Sequence, residues 1–347
     1  MGIKGYVSNL ILSRSGSYKY YKEKYEELNK RVEKLEKQNK KPMDERVAKL
    51  EKKMVRMNKI NNTNNRLFNT LYLDHKLEPS LLLSKFQEFC LEYLKFVENI
   101  CNKYELEWMI EGGSFLGAIR HGGFIPWDDD IDCGMMRKDY NKFIEVLPHE
   151  IKSNNLEDIM VIAFKERDEI VPGSCSFLQL KVYNTISERE NLMTIDFFPY
   201  DFLKNYNGEK LDDIYEEVRV KYLTDMLEID DFDEVLDRYY NNLNLTYEKT
   251  PYFIQGVDGT AGKNRSIKVK VFDTDKMLPF KRVKFENTQL PGPKDYDYYL
   301  TLIYKDYWGM PSKLHFHKRM KRLRRNPDIY YILDEYIARF KKVNENY

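Results

Sequence analysis

Two short segments near the start of the chain carry apolar residues at heptad spacing in a region dense in Lys and Glu. The spaced residues are Leu28, Val32 and Leu35 before Pro42, and Val47, Leu50, Met54 and Met57 after it. This spacing predicts a helical, coiled-coil-like region over residues 18–60. A solvated helix packed on its own domain gives a similar pattern. Few apolar residues lie outside these heptad positions, which we call the seam. This distribution favours a coiled coil that would make the protein a homo-oligomer.

Polar residues then separate this region from a globular part. The segment NNTNN at 61–65 predicts a linker over 61–77 and a domain boundary. We expect a catalytic domain over 78–347, with a helical insertion around 204–250 and a C-terminal helical region. Residues 1–17 are expected to form an N-terminal tail.

From residue 78 onward the apolar pattern alternates between helical and strand periods. Ser80 is the predicted N-cap of a long amphipathic helix over 81–104. Predicted strands are 106–110, 127–135, 159–165, 177–183 and 193–198, and predicted helices are 115–120, 139–146 (ended by Pro148), 212–243, 295–307 and 329–340. Strands and helices that alternate in this way indicate an α/β core.

Charge and cysteine content narrow the function classes. The formal net charge is +1, which gives no global attraction to nucleic acid. The four cysteines form no C-x-x-C pair and have no paired His spacing, so neither a zinc site nor a disulfide scaffold is indicated. No apolar run approaches a membrane span and no signal peptide is recognised, which predicts a cytoplasmic protein with reduced thiols. A small amphipathic patch near the N-terminus could make peripheral contact with the inner face of the cell membrane or with a partner; its residues are Ile3, Val7, Leu10 and Ile11.

Candidate chemistry is concentrated in the stretch EGGSFLGAIRHGGFIPWDDDID, residues 111–132. Ser114 and the free N–H groups of a helix N-terminus can hold a phosphate oxygen, and Gly113 permits close backbone approach. A simple strand-to-helix turn is the alternative for this pair. Arg120 could reach the phosphates or, equally, a neighbouring carboxylate.

The aspartates at the end of this stretch predict a metal site. In an extended segment Asp128, Asp130 and Asp132 share one face, and carboxylates so close together favour a hard divalent ion, Mg²⁺ or Mn²⁺. Asp130 and Asp132 are the first choice as ligands; Asp128 could instead be a loop cap.

Two other interpretations of the acidic run are weaker. A solvated acidic loop is common, but the apolar flanks 124–127 and Ile131 indicate partial burial. A calcium loop counted from Asp128 fails because Cys133 stands at its sixth position and Asp139 at its twelfth.

Three ordered pieces of the chain resemble the LicD family of phosphotransferases, which includes phosphorylcholine transferases and fukutin-type ribitol-phosphate transferases. They are GGSFLGAIRHGGFIPWDDDID, the segment TIDFFP at 194–199, and the block PFKRVKFENTQLPGPKDYDYYLTLIYKDYWGMPS at 279–312. The resemblance covers roughly residues 80–315. One departure is Lys305, which stands where family members often have Gly in a Tyr-Gly-Asp sequence.

The resemblance implies a fold and further site residues. It implies a nucleotidyltransferase-like mixed sheet flanked by helices, an α/β (α+β) class, behind the N-terminal coiled-coil segment. It supplies Asp196 as a third carboxylate, which would ligate the metal or act as general base. It also places Lys181 where the family has a basic residue, which suggests phosphate binding, although an exposed strand lysine is the competing interpretation.

The function implied by the resemblance is transfer of phosphorylcholine from CDP-choline to a hydroxyl of a cell-surface glycan, with release of CMP. Ribitol phosphate or another phospho-alcohol is an alternative group. A nucleotidyltransferase that releases pyrophosphate is a second alternative, and a coiled-coil scaffold with a degenerate catalytic domain is the non-enzyme alternative.

Overall fold

A computed structural model describes residues 26–27, 29–31, 33, 43–74, 78–162, 177–184, 190–229, 231–259, 268–309 and 318–347. The chain divides into two compact units, Met1–Thr70 and Leu71–Tyr347. The predicted tail at 1–17 lies outside the described residues. No helix in the described ranges combines the length and the apolar character needed to cross a membrane.

The first unit contains most of a long helix, α1 (Met43–Asp74), which begins directly after Pro42. The helix continues through NNTNN, so residues 61–74 of the predicted linker are helical. Asparagine costs less than about 0.7 kcal/mol per residue in a helix, which a long helix tolerates. The seam residues Val47, Leu50, Met54 and Met57 are between 44% and 62% exposed in this single chain. A coiled-coil partner for them stays a prediction.

The second unit is built on a mixed sheet, as predicted. Its strands are β1 (Trp108–Ile110), β2 (Ile131–Met136), β3 (Ile159–Ile162), β4 (Leu178–Asn184), β5 (Glu190–Leu203), β6 (Leu245–Thr246), β7 (Tyr252–Gln255) and β8 (Val271–Asp273). The main path is β1-β2-β5-β4-β3, and β6 and β7 pair with the far end of β5 while β8 pairs with β7. Only the β2–β5 pair is parallel among these described strands. A separate hairpin joins β9 (Lys281–Phe285) and β10 (Thr288–Gly292).

Helices cover this sheet. They are α2 (Leu81–Lys103), α3 (Gly112–His121), α4 (Arg137–Ser153), α5 (Asp212–Glu228), α6 (Phe232–Leu243), α7 (Thr274–Met277), α8 (Tyr296–Tyr304), α9 (Lys318–Leu323) and α10 (Ile329–Asn344). Ser80 caps α2 as predicted, since its hydroxyl accepts from the Leu83 N–H at 3.4 Å. The predicted end of a helix before Pro148 is wrong. Helix α4 runs through Pro148 to Ser153 because the buried side chains of Leu147 and Ile151 anchor its last turns.

Two apolar cores lie in this unit. The larger core packs α2 and α10 against β1–β5, with Phe89, Tyr93 and Phe340 in mutual ring contact. The smaller core packs α5 and α6 against the far end of β5 and against β7. The amphipathic pattern of α6, with Val235, Leu236 and Tyr239 buried on one side, accounts for its orientation. The predicted insertion around 204–250 therefore has a core of its own.

A buried ionic network connects the two cores. Arg137, at the start of α4, donates through Nε and Nη2 to Asp201 of β5 at 2.8 and 2.9 Å, and through Nη2 to Asp258 at 2.5 Å. Tyr239 and Tyr240 of α6 donate to Asp201, and Tyr222 of α5 donates to Asp258, all at 2.7–2.9 Å. Each charged member of the network is at most 2% exposed.

Candidate active site

The glycine turn after β1 places the start of α3 against two aspartates. Gly112 has φ +54°, a left-handed conformation that favours glycine, and a Cβ there would lie 3.1 Å from Asp132 Oδ2. A Cβ on Gly113 would lie 3.0 Å from Asp128 Oδ2. Both glycines therefore allow the backbone at the helix N-terminus to approach the carboxylates closely. The predicted contact of Gly113 with a phosphate stays a prediction.

Ser114 ties the helix start to the aspartate strand. Its side chain is buried, and its Oγ accepts a hydrogen bond from the Asp132 N–H at 3.1 Å. The residue thus fixes the spacing between α3 and β2. Its predicted contact with phosphate stays a prediction.

The acidic run begins before the strand and not within it. Strand β2 starts at Ile131, four residues later than predicted, because the Asp128 N–H bonds to the Ile125 carbonyl at 2.9 Å and closes a turn. The predicted alternation nevertheless holds: Asp129 is buried, whereas Asp128, Asp130 and Asp132 are half-buried.

The register of the sheet brings Asp132 and Asp196 side by side. They are direct partners on the parallel strands β2 and β5, so both carboxylates project from the same face. Gln179, the partner of Asp196 on β4, donates from Nε2 to Asp196 Oδ1 at 2.8 Å. Lys181 follows two residues later on the same face of β4, and its charge lowers the pKa of Asp196. Four polar residues from three strands thus share one face of the sheet.

Crowding and burial raise the pKa values of this cluster. Burial raises the pKa of Asp132 well above its usual range, and Asp130 and Asp196 add to the effect. Burial, followed by the charge of Asp130, raises the pKa of Asp128 to about 8. Burial also raises the pKa of Asp196, although the hydrogen bond from Gln179 opposes it. Carboxylates in this condition are stabilised by a cation.

The carboxylate oxygens of the acidic cluster suit Mg²⁺ or Mn²⁺ if a substrate supplies further ligands. The described residues contain no group of three or more His, Cys, Asp or Glu side chains arranged to hold a metal ion on their own. Mg²⁺ in nucleotide enzymes is usually bound by one or two carboxylates together with waters and substrate phosphates. All-oxygen ligands around Asp130 and Asp132 fit that arrangement, in which the substrate completes the coordination.

Glu111 is a further acidic residue beside the cluster, and the sequence motifs assigned it no role. Its carboxylate is 6% exposed and accepts a hydrogen bond from Tyr200 Oη at 2.6 Å. Burial raises the pKa of Glu111 to about 8. Tyr299 Oη accepts from the Gly112 N–H at 2.9 Å and so fixes the turn beside it. The sequence offered a signal for Glu111, because this residue stands directly before the Gly-Gly-Ser turn. It offered no signal for Tyr299, which contacts the turn from α8.

Two arginines lie near the site. Arg120 donates from Nη1 to the carbonyls of Tyr307 and Gly309 at 2.9 and 3.3 Å, which fixes the segment after α8; its predicted contact with phosphate stays a prediction. Arg319 of α9 donates to the Asp129 carbonyl and lies 5.7 Å from the ring centre of Phe86. Its charge also lowers the pKa of Asp196. Helix α9 thus brings one cation to the acidic cluster.

The β9–β10 hairpin holds the turn that precedes the aspartates. Glu286 accepts from the Phe124 N–H at 2.9 Å through Oε1, and its own N–H donates to the Gly122 carbonyl at 2.7 Å. Gly122 has φ +72° and ends α3. The hairpin is the start of the third segment in which a family resemblance was found, and its structural role is to position the acidic run.

Residues 105–216 match the model of the LicD/FKTN/FKRP nucleotidyltransferase domain. The chain is 34% identical over 129 residues to the lipopolysaccharide cholinephosphotransferase LicD of Haemophilus influenzae, which covers 36% of this chain and 46% of that protein. It is 42% identical over 48 residues to human ribitol 5-phosphate transferase FKRP, 14% of this chain and 10% of that protein. It is also 26% identical over 111 residues to human ribitol-5-phosphate transferase FKTN, 30% of this chain and 23% of that protein.

The chain therefore spans less than half the length of the curated relatives described here. The matched range contains the glycine turn, the acidic run and Asp196, which the fold assembles into one site. Residues 105–216 are therefore similar to the nucleotidyltransferase domain of the LicD family.

Proposed function

We propose that this protein transfers phosphorylcholine from CDP-choline to a hydroxyl group of a cell-surface glycan and releases CMP. The observation that carries the proposal is the pair Asp132 and Asp196, which stand side by side on parallel strands in front of the α3 N-terminus. Paired carboxylates beside a helix N-terminus are suited to a substrate that brings a diphosphate and a divalent cation.

The charged residues around this pair have complementary tasks in the proposal. Asp130 and Asp132 would hold a divalent cation, which would neutralise charge on the diphosphate. Lys181 and Arg319, whose charges both lower the pKa of Asp196, would face the transferred phosphate from the other side. Burial of the site strengthens these interactions because water screens them less.

The transfer step follows from the same geometry. The glycan hydroxyl oxygen attacks the phosphorus that carries choline, and a new P–O bond forms. The bond from that phosphorus to the bridging oxygen breaks, and CMP leaves with the electron pair. Asp196 takes the hydroxyl proton; its Oδ1 is held by Gln179, and the rise of its pKa on burial makes it a stronger proton acceptor than an exposed aspartate.

The relatives support the class of reaction and leave the choice of group to experiment. One is by name a cholinephosphotransferase and two are ribitol-phosphate transferases. All three names describe transfer of a phosphate-bearing group, in agreement with the family of the domain. Choline is our first choice because its transferase is the relative with the longest match of the three.

The test is release of CMP from CDP-choline by the purified full-length chain, with and without Mg²⁺ and a mixed glycan acceptor. We expect metal-dependent release that falls by about 10²–10⁴-fold in Asp132→Asn and in Asp196→Asn. The control Asp213→Asn changes an exposed aspartate of α5 and should retain activity.

Parallel reactions with CDP-ribitol and CTP identify the alternatives. CMP release from CDP-ribitol alone would replace choline by ribitol phosphate as the group. Pyrophosphate release from CTP would identify a nucleotidyltransferase. Absence of turnover with every donor would contradict the proposed enzyme and favour a binding module.

A further inference from the structure

A cavity of about 190 Å³ adjoins the acidic cluster. Its walls combine four aromatic side chains, one buried carboxylate and two lysines; the residues that matter here are Glu111, Tyr200, Tyr215, Phe272, Tyr299 and Lys268. The aromatic residues come from β5, α5, β8 and α8, and each is at most 3% exposed. The cavity thus lies where the larger and the smaller apolar cores meet.

The cavity lies on the same face of the sheet as the catalytic pair. Tyr200 follows Asp196 by four residues on β5, which is about 13 Å along the strand on the same face. Between them, Gly134 of β2 makes the necessary room, since a Cβ there would lie 2.6 Å from Glu111 Oε2 and 2.7 Å from the Tyr200 ring. Glu111 therefore projects over the sheet directly between the acidic pair and the cavity. A group attached to a phosphate at Asp132 could extend into this space.

The size of the cavity suits a small head group. Binding sites for drug-sized molecules measure about 300–1,000 Å³, so a cytidine nucleotide is too large for it. An engineered apolar cavity of about 150 Å³ is known to hold benzene. A cavity of about 190 Å³ can accordingly enclose a compact group such as trimethylammonium.

The lining also distinguishes between a polyol and an ammonium group. The hydroxyl of Tyr200 already donates to Glu111, that of Tyr215 lies 3.3 Å from the Gln255 carbonyl, and that of Tyr299 accepts from Gly112. A polyol would bury several hydroxyls with few new partners, which costs free energy. A quaternary ammonium needs no hydrogen bond and is favoured by aromatic walls and a nearby negative charge.

We propose that this cavity binds the quaternary ammonium head group of the donor, with Glu111 as its counter-charge. A bound cation stabilises the ionised form of this carboxyl and so opposes the effect of burial on its pKa. The inference rests on the proposed transfer reaction, for which it selects the choline donor. Lys268 is exposed, so water screens its repulsion of an ammonium group inside the cavity. If the cavity instead received an anionic group, this lysine would be an attractive contact.

Equilibrium binding by the full-length chain tests the proposal. Two ligands are compared by calorimetry: CDP-choline, and its uncharged isostere in which a tert-butyl group replaces trimethylammonium. We expect the wild type to bind CDP-choline at least about tenfold more tightly, a factor that corresponds to about 1.4 kcal/mol. Glu111→Gln, which keeps an acceptor for Tyr200, should remove the preference. Lys268→Gln should preserve or increase it.

Binding of CMP alone, which leaves the cavity empty, checks that each variant is folded. Equal affinity of the wild type for the two ligands would overturn the proposal, as would an unchanged preference in Glu111→Gln. Loss of the preference in Lys268→Gln would also overturn the proposal, because removal of a repelling lysine cannot weaken the binding of an ammonium group in the cavity. Turnover of CDP-ribitol without any preference for the charged head group would refute this inference and retain the transfer reaction. A clear binding preference for CDP-choline without turnover of any donor would retain this inference and refute the transfer reaction.

Discussion

The buried network around Arg137 gives the sharpest prediction on stability. The substitution Arg137→Met removes the guanidinium and keeps an apolar chain of similar length. It leaves Asp201 and Asp258, which are 0% and 2% exposed, without the cation that bridges them. Their remaining donors include three tyrosine hydroxyls, those of Tyr222, Tyr239 and Tyr240.

The expected loss is several kcal/mol of unfolding free energy. Removal of one partner from a buried ion pair typically costs about 3–5 kcal/mol, because an uncompensated charge stays in a medium of low polarity. The tyrosine hydrogen bonds reduce this cost, whereas the second aspartate increases it. We therefore expect about 4 kcal/mol at pH 7.

Urea unfolding followed by circular dichroism at pH 7 measures this loss. The control Lys142→Met breaks an exposed pair with Glu145, whose side chains are 48% and 68% exposed, and should change stability by less than about 1 kcal/mol. An Arg137→Met variant within about 1 kcal/mol of the wild type at pH 7 would refute the reasoning.

Three further predictions concern the site itself. Mg²⁺ together with CDP-choline should raise the melting temperature of the wild type, and Asp132→Asn should lose this effect in differential scanning fluorimetry while it retains its helical content. Arg319→Gln should raise the KM for the donor about tenfold, a loss of about 1.4 kcal/mol, whereas the exposed Lys321→Gln should leave KM unchanged in the CMP-release assay. The folded-state pKa of Glu111 is about 8, above the unfolded value of about 4.3, so its contribution to stability is present below pH 4 and is lost as the pH rises to 8. Glu111→Gln should flatten this decline in unfolding experiments over pH 4–8, and an unaltered slope would contradict the assigned burial.

Much of the site could be predicted because its residues lie in short motifs with a regular period. The alternation of Asp128, Asp130 and Asp132 needed only the two-residue repeat of an extended chain, and it survives even where the strand begins later than predicted. The placement of Asp196 beside Asp132 came from the family resemblance, and the parallel register now gives its physical basis. The first prediction depends on a local pattern, and the second depends on a sequence segment that resembles the family.

The remaining site residues could not be predicted because their roles depend on long-range packing. Gln179 reaches Asp196 only through the antiparallel register of β4, and Arg319 reaches the acidic cluster from a helix near the C-terminus. The predicted end of a helix before Pro148 was wrong for a related reason. Tertiary burial of Leu147 and Ile151 outweighs the loss of the hydrogen bond that a proline removes. The Asn-rich run at 61–65 was likewise interpreted from propensity alone.

The parallel pairing of β2 with β5 also has a consequence for the order of folding. Asp132 and Asp196 are far apart in sequence, and their carboxylates meet only after β2 and β5 have paired. Such non-local pairing forms slowly because loop-closure entropy is lost before contacts compensate it. A ligand that needs both aspartates can therefore bind only after this pair has formed. Its presence should slow unfolding of the finished protein and leave the rate of folding almost unchanged.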